Sequence, residues 1–406
     1  MGKEMDTKPT EEPEKADIIV GIPSYNEADA ISYVTRQVAL GLKNFYPQYS
    51  CLIINVDNNS PDNTKEAFLS TPTEDIPKRY ISTPPGVKGK GNNFYNLFKA
   101  VKELKPKAVV VVDADLKSIT PDWIKSLAEP ILRGADLVTP LYSRHKYDGT
   151  ITNNIVYPIT VGLLGKNIRQ PIGGDFSFSS RLAGHWLEQE WSETIRHFGI
   201  DIFMTTHALL GGFKVCSATL GAKIHKVKDP GESLGPMFKQ VIGTLFSVIN
   251  DNKHAIPNNG IEQPIIFGNT ELQEPQAMCI NTDNLRRNYN NGMSNKKHIL
   301  KQYLSETTYA DLNNVSLEIN NISADLWART LYDLLVAYPR AENKEELLEA
   351  MQPLYFGRVY SFAKETSGMG HEEAEAEVQR QAKIFHEMKE YALKHLVGTP
   401  ITQVAK

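Results

Sequence analysis

The sequence predicts an α/β fold: a doubly wound, mostly parallel sheet followed by a helical C-terminal region. Three observations carry that expectation. Short apolar segments alternate with helical periodicity four times between residues 16 and 116, the pattern of parallel strands joined by crossover helices. The stretch Val109–Leu116, VVVVDADL, holds four consecutive valines, and such a run has no side to offer water, so it belongs in a sheet covered on both faces. Strand-like segments end before residue 230, and helical patterns dominate the remainder of the chain.

In chain order, residues 1–15, rich in Lys, Glu and Pro, read as a disordered tail. Ala16–Ile22 is the first expected strand, followed by Pro23-Ser24-Tyr25-Asn26-Glu27. A helix is expected from Ala30 to Leu42, a second strand over Tyr49–Val56, and a polar turn from Asp57 that leads into the helix Thr64–Leu69. Tyr80–Ser82 is a weak third strand. The loop Gly86–Gly91 precedes the helix Asn92–Leu104, and the valine strand comes next. Beyond it lie a helix over Asp122–Leu132, a strand over Ala135–Pro140 and a helical stretch Asn154–Leu164 interrupted at Pro158. Further helices are expected near Leu182–Trp191 and from Asp201 through Leu210, then a strand Phe213–Ala218 and a last one ending at Ala222–His225. The apolar stripe Leu234, Met237, Val241, Leu245 and Val248 marks a helix from Gly231 to His254. The expected division is a catalytic domain over 16–254, a linker or arm over 255–298 rich in Asn, Pro and Gly, and a helical region over 299–406.

Composition narrows the class. A net charge of −4 leaves no basic footprint for nucleic acid and no general attraction to anionic lipid. Three scattered cysteines show neither metal-ligand spacing nor a disulfide framework, which fits a reducing cytoplasm. No apolar run approaches the roughly 20 residues that cross a bilayer. The expectation is a cytoplasmic protein without membrane attachment, with the helical C-terminal part as a homo-oligomer surface.

The chemistry-bearing residues cluster after strand ends, where open α/β sheets bind ligands. Asp113 and Asp115 stand two residues apart at the end of the valine run, a costly arrangement unless a cation such as Mg2+ or Mn2+ offsets it; the bland alternative is a helix cap or a solvated strand end. Lys88 and Lys90 sit among three glycines, suited to a phosphate but equally to a solvated turn, and the Walker A spacing is absent. Asp57 could accept hydrogen bonds from a nucleotide or close an Asx turn. Pro23, Tyr25 and Glu27 come after the first strand, and Glu27 could merely cap a helix. His225 could complete a metal site begun by Asp115, or be structural.

Together these segments, PSYNE, VDNNSPDNT, PGVKGKGNN and VVVVDADL, resemble the nucleotide-sugar half of GT-A glycosyltransferases. Beyond them, QPIGGDFSFSS, HFGIDIFMTTHAL and IHKVKDPGESLGPMFKQVIGTL resemble the retaining synthases of mannosylglycerate, glucosylglycerate and glucosyl-3-phosphoglycerate. LWARTLYDLLVAYPR and MQPLYFGRVYSF look like the C-terminal part of the glycerate-using members. The resemblance implies a metal held by Asp115 and His225, Asp113 toward the sugar or ribose, Asp201 near the reacting sugar, and Arg144 with Thr152 on the acceptor. It implies close acceptor approach at Gly173 and Gly174, a GDP-, UDP- or ADP-hexose donor, and D-glycerate or 3-phosphoglycerate as acceptor. Phosphoglycerate-using members carry Gly-Arg-x-Thr; here the run is Gly149-Thr150-Ile151-Thr152, and the missing cation favours free D-glycerate, with Lys146, Lys226 and Lys228 as the remaining phosphate candidates. An inverting transferase with Asp201 as general base, acting on a lipid or polysaccharide, and a silent nucleotide-sugar-binding protein are the competing classes.

Overall fold

The structure, a computed structural model, describes residues 15–224, 235–268, 275 and 277–398. Eight strands form one sheet: β1 (Ile18–Ser24), β2 (Cys51–Asp57), β3 (Lys78–Ser82), β4 (Ala108–Val111), β5 (Leu137–Ser143), β6 (Phe176–Phe178), β7 (Val215–Ala222) and β8 (Ile266–Phe267). Their spatial order is β3-β2-β1-β4-β6-β5-β7-β8. Every neighbouring pair is parallel except those made by β6, which runs antiparallel to both β4 and β5. The expected mostly parallel sheet is therefore present. The two strands expected after Phe213 are one, β7.

The first eight helices are α1 (Ile31–Phe45), α2 (Thr64–Ser70), α3 (Lys90–Leu104), α4 (Pro121–Leu132), α5 (Tyr157–Gly162), α6 (Ser180–Leu187), α7 (Glu193–Arg196) and α8 (Ile200–Leu210). One face of the sheet is covered by α1 and α4 through Val34, Val38, Ile124 and Leu127. The other is covered by α3, α6 and α8 through Phe94, Phe98, Trp186 and Phe203. All four residues of β4 are buried, as a continuous apolar run requires between two helical layers. Pro158 does not break its helix. A π turn over Thr152–Val156 precedes it, and α5 starts at the next residue, so the ring falls where the turn has already widened.

Later helices are α9 (Gly235–Asp251), α10 (Thr282–Leu300), α11 (Glu306–Asn313), α12 (Ala324–Ala337), α13 (Lys344–Glu365), α14 (His371–Glu387) and α15 (Lys389–Val397). The extended arm expected over 255–298 is corrected by α10, whose buried residues are only Leu285, Tyr289, Ile299 and Leu300, too sparse a stripe to read against its asparagines. In that helical region α13 is continuous and runs through Pro353. Nor do the segments on either side of residue 254 have separate cores. Ile155 and Ile159, Phe238 and Leu245 of α9, Trp327 and Leu331 of α12, Tyr355 of α13 and Phe385 of α14 belong to one buried cluster. No helix among the described residues is long and apolar enough to cross a membrane.

Candidate active site

A cavity of about 630 Å³ opens at the carboxyl ends of β1, β4, β5 and β7. It is lined by Pro23 near the end of β1, Tyr25 and Glu27 after it, Lys88 and Lys90 before and at the start of α3, and Asp113 and Asp115 after β4. Arg144 after β5, Thr152, Gly173, Gly174 and Asp201 complete the far side. Segments distant in the chain thus converge where the sequence placed a site, with two exceptions. His225, with Lys226 and Lys228, lies outside the described residues. Asp57 is the other, a correction.

Asp57 is fully buried and does not line the cavity. Its carboxylate accepts from Ser24 Oγ and Ser60 Oγ at 2.7 Å each, from the Ser60 backbone N–H at 2.7 Å and from Tyr80 Oη at 2.9 Å. Four donors saturate it, so it closes the loop after β2 and leaves Asn58 to face the cavity.

The floor of the cavity is a network of buried charges. Lys90 begins α3, where the helix dipole disfavours a cation, and two carboxylates offset this. Its Nζ lies 3.2 Å from Asp113 and 3.3 Å from Asp201. Burial alone would push Lys90 down, but Asp113, Asp201 and Asp175 overcome it and hold the ammonium above its ordinary range. Lys223, just past β7, donates to Asp113 at 3.0 Å, to Asp175 at 2.8 Å and to the Gly173 carbonyl at 3.0 Å, which uses all three of its protons. Burial would raise Asp113; Lys223 and Lys90 outweigh it and hold its carboxyl well below the usual carboxylate range. Asp175 is fully buried and is pushed up by that burial. It also accepts the Asp113 backbone N–H at 2.8 Å and the Tyr142 hydroxyl.

Lys223, Asp175 and Tyr142 are the members that sequence reasoning missed. Lys223 carried the same signal as Asp113, a polar residue ending an apolar strand, but His225 two residues on drew the reading. Asp175 was visible only as part of a glycine-rich run. It reaches Asp113 because β6 is antiparallel: Phe176 pairs with Val111, so the start of β6 lies at the end of β4. Gly174 has φ +92°, and a Cβ there would collide with Asp113 Oδ2. Gly91 is equally constrained, because a Cβ would strike the Ile195 carbonyl that abuts α3.

On the opposite wall, the Arg144 guanidinium lies over the Tyr142 ring at 5.4 Å, with Nε 3.6 Å from Asp148 and without a hydrogen-bond partner. Thr150 Oγ1 pairs with Tyr355 Oη at 2.6 Å. Asp201 sits in the first turn of α8, where an acid is favoured, and burial pushes its carboxyl upward against the pull of Lys90. At the mouth, Lys88 Nζ stands 4.7 Å over the Tyr25 ring.

Comparison with known proteins gives a partial match. Glycosyl transferase family 2 matches residues 19–182. Among curated proteins no match is found. Similar solved structures include glucosyl-3-phosphoglycerate synthase from Mycobacterium tuberculosis in complex with Mn2+, UDP and phosphoglyceric acid, at 25% identity over 60% of this chain and 81% of that one, TM-score 0.46. The same enzyme with Mg2+ and UDP gives 25% identity over 60% of this chain and 82% of that one, TM-score 0.46. A mycobacterial protein gives 26% identity over 60% and 77%, TM-score 0.47. Residues 19–182 thus match the glycosyl transferase family 2 model, and they lie in a chain built on a mostly parallel α/β sheet with a helical region behind it.

Proposed function

We propose that the protein is a divalent-metal-dependent hexosyltransferase that moves glucose or mannose from a nucleotide sugar to D-glycerate with retention, giving an α-glycosylglycerate. One observation carries the reading: Lys88 and Lys90, assigned here to a diphosphate, and Arg144 and Thr152, assigned to a carboxylate, line a single cavity. Lys88 and Lys90 supply positive charge on one wall, and Arg144, beside Thr152, supplies it on the other. A nucleotide-binding module alone has no need of the second wall.

The residues present fit a divalent cation. Asp115 lines the cavity, is half-buried, and makes no hydrogen bond or ion pair among the described residues, whereas Asp113 is committed to two lysines. Asp115 would therefore hold the ion together with donor phosphate oxygens; His225 is the proposed second ligand. Bound Mg2+ or Mn2+ supplies Lewis-acid charge beside the departing diphosphate.

In the proposed reaction Lys90 stays charged and stabilises the diphosphate as negative charge develops on it. Arg144 binds the acceptor carboxylate and turns the glycerate hydroxyl toward the anomeric carbon. That hydroxyl attacks on the face the diphosphate vacates and passes its proton to the departing oxygen. Asp201, whose Oδ1 accepts no hydrogen bond but stands 3.3 Å from the Lys90 ammonium, orients a hydroxyl there. Free glycerate is favoured over its phosphate because Thr150, where an arginine would stand, is paired to Tyr355, and Lys146 is spent on backbone carbonyls.

The test is a product screen with Mg2+ or Mn2+, offering GDP-mannose, GDP-glucose, UDP-glucose and ADP-glucose against D-glycerate and 3-phospho-D-glycerate. An α-linked glycosylglycerate supports the reading. No product with either acceptor overturns it, a β-linked product removes retention, and strong preference for 3-phosphoglycerate overturns the acceptor argument.

A further inference from the structure

The acceptor wall is held from outside the family-matched segment. Residues 146–154 come just after Arg144 and include Asp148, Gly149, Thr150, Ile151 and Thr152, all of which line the cavity. Lys146 Nζ donates to the Thr366 carbonyl at 2.6 Å and the Met369 carbonyl at 2.7 Å, just past the end of α13. Tyr147 Oη reaches the Ala363 carbonyl at 3.4 Å, and Thr150 Oγ1 pairs with Tyr355 Oη. Gln381 of α14 donates to the Asn153 carbonyl at 2.9 Å, and the Trp327 indole of α12 donates to the Asn154 carbonyl at 2.6 Å. Three helices therefore grip nine consecutive residues. Among the described residues the donor wall has no such brace: Tyr25, Lys88, Lys90 and Asp113 find their partners between residues 24 and 223.

We infer that the C-terminal helices act as a positioning device for the acceptor alone, with Tyr355 and Lys146 as the positioning residues that set acceptor affinity and selectivity while leaving donor binding untouched. This rests on the proposed function for the identity of the acceptor, but not for the coupling itself. The physical reason is the asymmetry of the tethers. A π turn, here over Thr152–Val156, is a rare single-turn departure from the α-helical ladder, and contacts from outside the segment help to hold its register. The Asn153 and Asn154 carbonyls, taken by Gln381 and Trp327, supply those contacts. Tyr355 is fully buried behind Thr150, its ring tilted against Phe238 at 5.0 Å, so it fixes Thr150 without touching the cavity.

The experiment uses the full chain with Tyr355→Phe and Lys146→Met, both of which keep the side-chain bulk. Hydrogen exchange is followed in residues 144–154 and, as internal reference, in 86–93 and 109–116; KM for donor and acceptor is measured with the pair chosen by the product screen. Faster exchange confined to 144–154, with acceptor KM raised roughly 3- to 10-fold and donor KM unchanged, is expected from the loss of one or two neutral-partner hydrogen bonds. Unchanged exchange at 144–154, an equal rise in all three segments, or donor and acceptor KM moving together overturns the inference. If wild-type protein uses neither acceptor, the proposed function fails, and the exchange result alone decides the coupling.

Discussion

Lys223→Met isolates what the buried lysine does. The side chain is only 4% exposed and its three protons go to Asp113, Asp175 and the Gly173 carbonyl. Methionine has nearly the same length, so packing is kept and charge is removed. The five charges Lys90, Lys223, Asp113, Asp175 and Asp201 sum to −1 and become −2 in the variant. Asp175, with no exposure, is left with only the Tyr142 hydroxyl and the Asp113 N–H. Breaking a buried pair by removing one partner costs about 3–5 kcal/mol, against a total stability of about 5–15 kcal/mol. The protein should fold but unfold at clearly lower denaturant. Adding Asp175→Asn removes the stranded charge at constant shape, so Lys223→Met/Asp175→Asn should regain about 1–3 kcal/mol over Lys223→Met alone. Urea unfolding of wild type, both single variants and the double variant closes the cycle. Additive losses would refute the view that Lys223 is there to neutralise Asp175.

Asp115→Asn should abolish turnover with little change in Tm, because the carboxylate has no partner among the described residues; full activity in excess EDTA would sink the metal assignment. Arg144→Ala should weaken acceptor use by roughly 10- to 150-fold, the equivalent of a charge-assisted pair of about 1.5–3 kcal/mol, with donor KM unmoved. The pH dependence has a separate source. His207 is buried against Phe203 and His185, and burial, with a smaller push from His185, lowers it from 6.5 to about 4. Between those values the unfolded chain binds the extra proton, so stability rises with pH from about 4 to 6.5, is fully present above 6.5 and is lost as pH falls. The shift amounts to about 3 kcal/mol, and His207→Leu should flatten a plot of Tm against pH across that window; an unchanged slope would place the titration elsewhere.

What the sequence by itself determined is local. The valine run, the apolar segments before Pro23 and Asp57, and the glycine-lysine loop are contiguous features, and a strand's end is set directly by where its apolar run stops. That was enough to put Tyr25, Lys88, Lys90, Asp113 and Asp115 at one edge of one sheet; Arg144 was named only by the resemblance. Asp57 shows the limit even there: its position was right and Ser60 closes the local turn, yet two of the four donors that saturate it come from Ser24 and Tyr80 on neighbouring strands. Tertiary structure alone decided the rest. A three-residue strand such as β6 has no periodicity that reveals its direction, and only its antiparallel seating brings Asp175 under Asp113. The Lys223 pairs span 110 and 48 residues, and the bond from Gln381 to Asn153 spans 228. Contacts at such separations depend on how whole elements pack, which no stretch of residues encodes on its own. The asparagine-rich α10 was hidden for the same reason, since its four buried side chains become apolar contacts only once α13 lies against them.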